Sequence, residues 1–210
     1  MAPDDEYIKV FIDNGRDNPD EIRFSEIWCG LVWPNQPVHP AYFCMFGEDY
    51  RGDKRGKLIF IHEEDHRGIN LYDFFQKLSD ATTLMLCKKV YVDMDNEPYC
   101  DELRSFIYDN NVSLSLGHSP FVNNFSIGIT KIDELGRNQM LELKEGTTLH
   151  QEMKTLNINE YSKQKDDETE SRIYPIHALR YIVCAYKKYS SKVGSDVKAA
   201  QAAAKKRILW

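Results

Sequence analysis

Three apolar runs constrain this chain's fold more than any other feature. They are Glu26–Trp33 (EIWCGLVW), Ala41–Gly47 (AYFCMFG) and Lys57–His62 (KLIFIH). Each is shorter than a typical helix, rich in aromatic and branched side chains, and bounded by turn-forming or charged residues, which is the signature of a buried strand. Pro34 stops the first run, and GEDYRGDKRG separates the second from the third. Successive strands with turns of this kind form an antiparallel meander. Gly30, inside the first strand, marks a point where another backbone comes close.

The period then changes. Leu71, Phe74, Phe75 and Leu78 recur at i, i+3, i+4 and i+7, the stripe of an amphipathic helix, with Asn70 as its cap. Lys89–Asp93 is a fourth strand, in which Val90, Tyr91 and Val92 run up to a carboxylate, followed by Asp95. Pro98 opens a helix that reaches about Asp109, and Val112–Leu116 (VSLSL) is a fifth strand. Beyond it, Ile127–Leu135 has helical spacing and Gln139–Leu143 reads as a short strand. Thr148–Met153 begins a helix capped by Thr148 with Glu152 in its early turns. Lys163–Ser171 reads as an exposed charged loop, and Pro175–Ser190 as a helix with Ile176, Leu179, Ile182 and Val183 on one face. Before the meander, Tyr7–Ile12 is a candidate strand and Asp13–Asp20 a turn-rich connector. The expected organisation is a linker or edge element over 1–24, one α/β domain over 25–190, and a basic tail over 191–210.

Composition sets the class of protein. With 42% hydrophobic and 12% aromatic residues the chain can fill a real core. It has no run of 18 apolar residues and its start is acidic, so a soluble, unexported protein with no membrane partner is expected. Cys29, Cys44, Cys87, Cys100 and Cys184 are scattered without a CxxC pair, which argues for a reducing compartment and against a disulfide or zinc framework. The net charge is −6, but Val183–Trp210 holds seven Lys or Arg against one Asp, so that segment carries +6 and the rest −12. A basic end on an acidic body supplies either phosphate contacts or a solvated helix end.

Asp93 is the first candidate site residue, because ligand-handling side chains collect at the carboxyl ends of strands in α/β sheets. Its alternative role is to cap the turn into the next helix. His39, His62, His66 and His118 show no metal-ligand spacing among themselves, and Gly117-His118-Ser119 is a DNA-contact candidate after the fifth strand.

The element order, three antiparallel strands followed by helix, parallel strand, helix and strand, resembles an RNase H-like fold. Four segments sharpen the likeness: Asp93 with Pro98 and Glu102-Leu103, GITKIDEL at Gly128–Leu135, LHQEM at Leu149–Met153, and HALRYIV at His177–Val183. From about Glu26 to Tyr186 their order and spacing resemble the nuclease domain of phage terminase large subunits. That resemblance implies a mixed five-stranded sheet, three strands antiparallel and then two parallel, flanked by helices. It also implies a nuclease in which three or so carboxylates hold two Mg²⁺ or Mn²⁺ ions at a phosphodiester.

The carry-over is partial. Asp93 matches a family acid and would be the catalytic residue, whereas the first-strand acid falls on Val32 and the acid of the last helix on His177. Valine ligates nothing, and imidazole suits Mn²⁺ or Zn²⁺ better than Mg²⁺. The candidate metal set is therefore Asp93, Asp95, Asp167 and His177, with Asp13, Glu63, Glu64, Asp65 and Asp166 as further acids. Lys198, Lys205, Lys206 and Arg207 are the candidate DNA contacts of the tail. Two readings stay open: a metal-dependent endodeoxyribonuclease of viral DNA packaging, or a non-catalytic DNA-binding or docking module of a packaging motor or virion. Either implies double-stranded DNA as partner and the cytoplasm of an infected bacterial host, or the virion, as its place. No GxxxxGK[ST] loop is present, so a packaging ATPase, small terminase or portal would be a partner, and the chain is either an excised domain or a free-standing relative.

Overall fold

Strand β2 is the axis of the sheet, and it is longer than its apolar run. It spans Asp20–Val32, whereas the sequence places its start at Glu26. A computed structural model of the chain describes residues 8–12, 20–35, 39–49, 56–68, 70–119, 125–155 and 167–186. The other strands are β1 (Ile8–Ile12), β3 (Ala41–Asp49), β4 (Leu58–His66), β5 (Lys89–Val92), β6 (Ser115–His118) and β7 (Leu141–Glu142). The helices are α1 (Leu71–Leu84), α2 (Glu97–Asp109), α3 (Phe125–Arg137), α4 (Thr148–Thr155) and α5 (Asp167–Ala185).

The sheet runs β6-β5-β2-β3-β4-β7. β2, β3 and β4 form the antiparallel meander, and β5 and β6 add parallel to β2, as the sequence predicts. Two short strands extend this core of five. β7 pairs parallel with the start of β4, and β1 pairs antiparallel with the first half of β2. β5 occupies the same edge of β2 over its second half, with Cys29 opposite Val90 and Gly30 opposite Tyr91.

Alternation along β2 sends side chains into two cores. Cys29, Leu31 and Trp33 join Phe74, Leu78, Leu103 and Phe106 of α1 and α2 on one face. Trp28 and Val32 join Ile129, Leu149, Leu179 and Ile182 of α3, α4 and α5 on the other. Gly30 lies beneath α5, and a Cβ there would stand 2.1 Å from the Ala178 carbonyl oxygen. Hydrogen in place of a methyl group thus lets the helix rest directly on the sheet.

Three further boundaries differ from the sequence reading for physical reasons. β6 starts at Ser115, because the Val112 N–H turns back to Ile107 O (3.0 Å) and closes α2, while Asn111 takes a left-handed φ of 51°. α4 is capped by Thr147 rather than Thr148: the His150 N–H donates to Thr147 Oγ1 at 3.2 Å. α5 begins at Asp167 and runs through Pro175, so residues 167–171 are helix where a loop is expected. Proline usually opens a helix because its missing N–H is costly further in; here the helix continues through it.

Candidate functional site

β2, β4, β5 and β6 all point one way, so their carboxyl ends meet at one end of the sheet. There the end of β2, the β5–α2 turn and α5 enclose a cleft of about 560 Å³. Val32 belongs to its lining, and two walls of different chemistry rise on either side.

The first wall is built where β5 stops. Asp93 Oδ1 accepts the Asp95 N–H at 3.0 Å, so the carboxylate ties the turn, the structural role weighed for it in the sequence. Its backbone carbonyl accepts Trp33 Nε1–H at 3.0 Å and faces Cys100 Sγ at 3.6 Å. Trp33 stacks on Tyr99 with ring centres 5.6 Å apart and planes 23° from parallel. Asn96 takes the N-cap position of α2 and makes no side-chain capping hydrogen bond, and it too lines the cleft.

The second wall is α5. His177, Arg180 and Tyr181 are spaced i, i+3 and i+4 and present one helical face to the cleft. The Arg180 guanidinium stands 5.2 Å from the Phe125 ring centre and 5.6 Å from that of Tyr181, within cation–π range. Gly128 of α3 makes room for its stem, since a Cβ there would lie 1.9 Å from Arg180 Cγ. His177 packs 5.5 Å from Phe125. His39 stacks on Tyr174 at 5.5 Å, and its Nδ1 lies 3.0 Å from Pro40 O. A carbonyl only accepts, so Nδ1 carries a proton there.

Of the candidate metal set, the structure brings Asp93 and His177 to the same cleft. Asp95 is exposed beside it. Asp167 precedes His177 by ten residues of one helix, about 15 Å along its axis at 1.5 Å per residue. The acids of β4 are committed elsewhere. Glu63 accepts the Thr148 and Leu149 N–H groups at 2.5 and 3.1 Å and the Tyr42 hydroxyl at 2.7 Å, holding the start of α4. Asp65 accepts the Tyr174 hydroxyl at 2.6 Å. Glu64, on the opposite face, lies between His62 Nε2 (3.0 Å) and His66 Nε2 (2.9 Å). His118 is exposed at the end of β6, and the Ser119 hydroxyl donates to Tyr181 O at 2.9 Å. Asp13, Asp166, Lys198, Lys205, Lys206 and Arg207 lie outside the described residues. All five cysteines are buried thiols. Burial raises the pKa of each, Cys87 to about 11, so none is poised as a nucleophile.

Sequence reasoning missed Arg180, Tyr99, Asn96 and His39 as lining residues. Arg180 was within reach, since three residues after His177 on a helix is the same face. The others come together only because the sheet brings the β5–α2 turn and the β2–β3 connection to one end.

The fold is α/β, a mixed sheet with an antiparallel meander continued by parallel strands and covered on both faces, in the RNase H-like order of strands and helices. Its similarity to the crystal structure of the large terminase nuclease from thermophilic phage G20c with bound zinc covers 85% of this chain and 94% of that one. The TM-score is 0.53 and the identity 11%, a likeness of fold. The fowlpox virus Holliday junction resolvase is a more distant neighbour, at TM-score 0.39 and 11% identity over 76% of this chain and 96% of that one. No protein-family model matches the sequence, and no curated protein matches it.

A two-metal centre needs several hard oxygen ligands around each ion. Asp93 is the one carboxylate among the residues lining the cleft, and one of its oxygens is engaged in the turn. Val32 contributes no donor, and Arg180 adds positive charge where cations would gather. Among the described residues no three His, Cys, Asp or Glu side chains are grouped to hold a metal ion. The donors among the described residues of the cleft therefore do not fit a pair of Mg²⁺ or Mn²⁺ ions.

Proposed function

We propose that this chain is a DNA-binding module built on the terminase nuclease fold, which holds DNA at the cleft between the β5–α2 turn and α5 without cutting it by paired metal ions. The observation that carries the reading is the composition of the cleft: Val32, Asp93 and His177 converge there, with Arg180 beside them and a single carboxylate among the lining residues. With one Asp and one Arg among its lining residues, the cleft has no surplus of negative charge to draw metal ions. Lys198, Lys205, Lys206 and Arg207 would add phosphate contacts from the tail. The likeness to a terminase nuclease supports a setting in viral DNA packaging, with a motor ATPase, small terminase or portal as partner. No helix among the described residues is long and apolar enough to cross a membrane.

The test has two parts. DNA binding is measured at low salt in EDTA, and plasmid nicking is measured with Mn²⁺ and with Mg²⁺ against Asp93→Ala. The expected result is binding in EDTA and no nicking above that of the variant. Metal-dependent cleavage lost in Asp93→Ala would replace this reading with the nuclease.

A further inference from the structure

We infer that the cleft seats one unpaired nucleotide of a DNA strand, rather than following the backbone of a duplex. The inference rests on the DNA-binding reading above and narrows it to a form of substrate. The β5–α2 wall has the chemistry of a base site. Tyr99 is half-buried, and its ring is backed by the buried ring of Trp33, which is anchored by its hydrogen bond to Asp93 O. A ring braced in this way is a rigid stacking platform, and stacking accepts any base because each has a π-face. Asn96 sits beside it with no side-chain capping bond, so its amide offers a donor and an acceptor to a base edge. Asp93 adds a carboxylate acceptor, the partner of an exocyclic amino group.

The α5 wall has the chemistry of a phosphate site. Arg180, 4% exposed where it lines the cleft, places a permanent positive charge there, and guanidinium is the side-chain group best matched to phosphate. The rings of Phe125 and Tyr181 hold that group in place, and His177 and His39 line the cleft with it. At about 560 Å³ the space between the walls falls in the size class of small-ligand sites. A duplex groove calls for a different surface, with several phosphate contacts from Lys and Arg in a row. The lining of this cleft contains one Arg and no Lys.

The experiment uses the full chain in EDTA at low salt and measures fluorescence anisotropy with a short labelled single strand and with the corresponding duplex. Tyr99→Leu and Asn96→Ala are compared with wild type, and dCMP is the competitor. Circular dichroism confirms that the variants fold, and Asn96→Ala serves if Tyr99→Leu does not. The expected result is tighter binding of the single strand, displacement by dCMP, and a loss of about five-fold or more in single-strand affinity for Tyr99→Leu, the lower end for one stacked base. Equal affinity for both forms, or wild-type single-strand affinity in both variants, overturns the single-nucleotide site and leaves the DNA-binding reading standing. Binding of neither form overturns both.

Discussion

At the scale of single residues, Gly30 shows how a missing side chain positions the cleft. Its Cα faces the Ala178 carbonyl, a backbone group that cannot rotate away, so α5 must move if a methyl group is added. Gly30→Ala is expected to destabilise the fold by about 1–3 kcal/mol, the usual range for overpacking, measured by urea denaturation. His66 is a second informative residue. Burial lowers its pKa from the ordinary 6.5, and the nearby Glu64 carboxylate only partly offsets this. The folded state thus takes up this proton less readily than the unfolded chain. Stability is fully present above pH 6.5 and declines as pH falls below it, until the lowered folded pKa is passed. His66→Gln keeps a polar side chain and removes the titration, so its melting temperature should fall less than that of wild type between neutral and mildly acid pH.

At the scale of elements, Glu63 is the link between sheet and helix. One carboxylate satisfies two of the N–H groups that open α4 and also the Tyr42 hydroxyl. Helix N-termini leave such donors without partners inside the helix. Glu63→Ala is expected to cost about 2 kcal/mol, from the lost cap and the buried hydroxyl left behind. A lowered urea midpoint at unchanged slope would confirm this; a change in slope would mean that α4 had detached. α5 organises the site at the same scale. It packs on β2 through Ala178 and carries His177, Arg180 and Tyr181 to the cleft, so the helix that closes the core also builds one wall of the site.

At the scale of the whole molecule, an acidic body and a basic tail are joined in one chain. If the tail binds phosphates, deleting Lys198–Trp210 removes four positive side chains and flattens the salt dependence of DNA binding. The slope of log K against log salt should fall by about 0.9 for each phosphate that is no longer neutralised. An unchanged slope would place the phosphate contacts outside Lys198–Trp210.

The strand and helix order was legible because each element announces itself locally. The meander strands are short apolar runs, α1 has a clean i, i+3, i+4, i+7 stripe, and β5 ends at an acid and a turn. The likeness between spaced motifs and a nuclease fold was legible for the same reason, since the spacing of elements is written along the chain. What the sequence by itself determined about the site was which side chains stand at strand ends, Val32 and Asp93, and which lie on the HALRYIV helix. Tertiary structure alone decided which of them meet. Glu63 and Asp65 look as eligible as Asp93 in one dimension, yet a helix terminus and a tyrosine hydroxyl occupy them. Trp33 and Tyr99 lie far apart in sequence and stack only because β5 pairs with β2 in parallel. Pairing register and helix docking are long-range choices made by burial, and a local reading has no access to them.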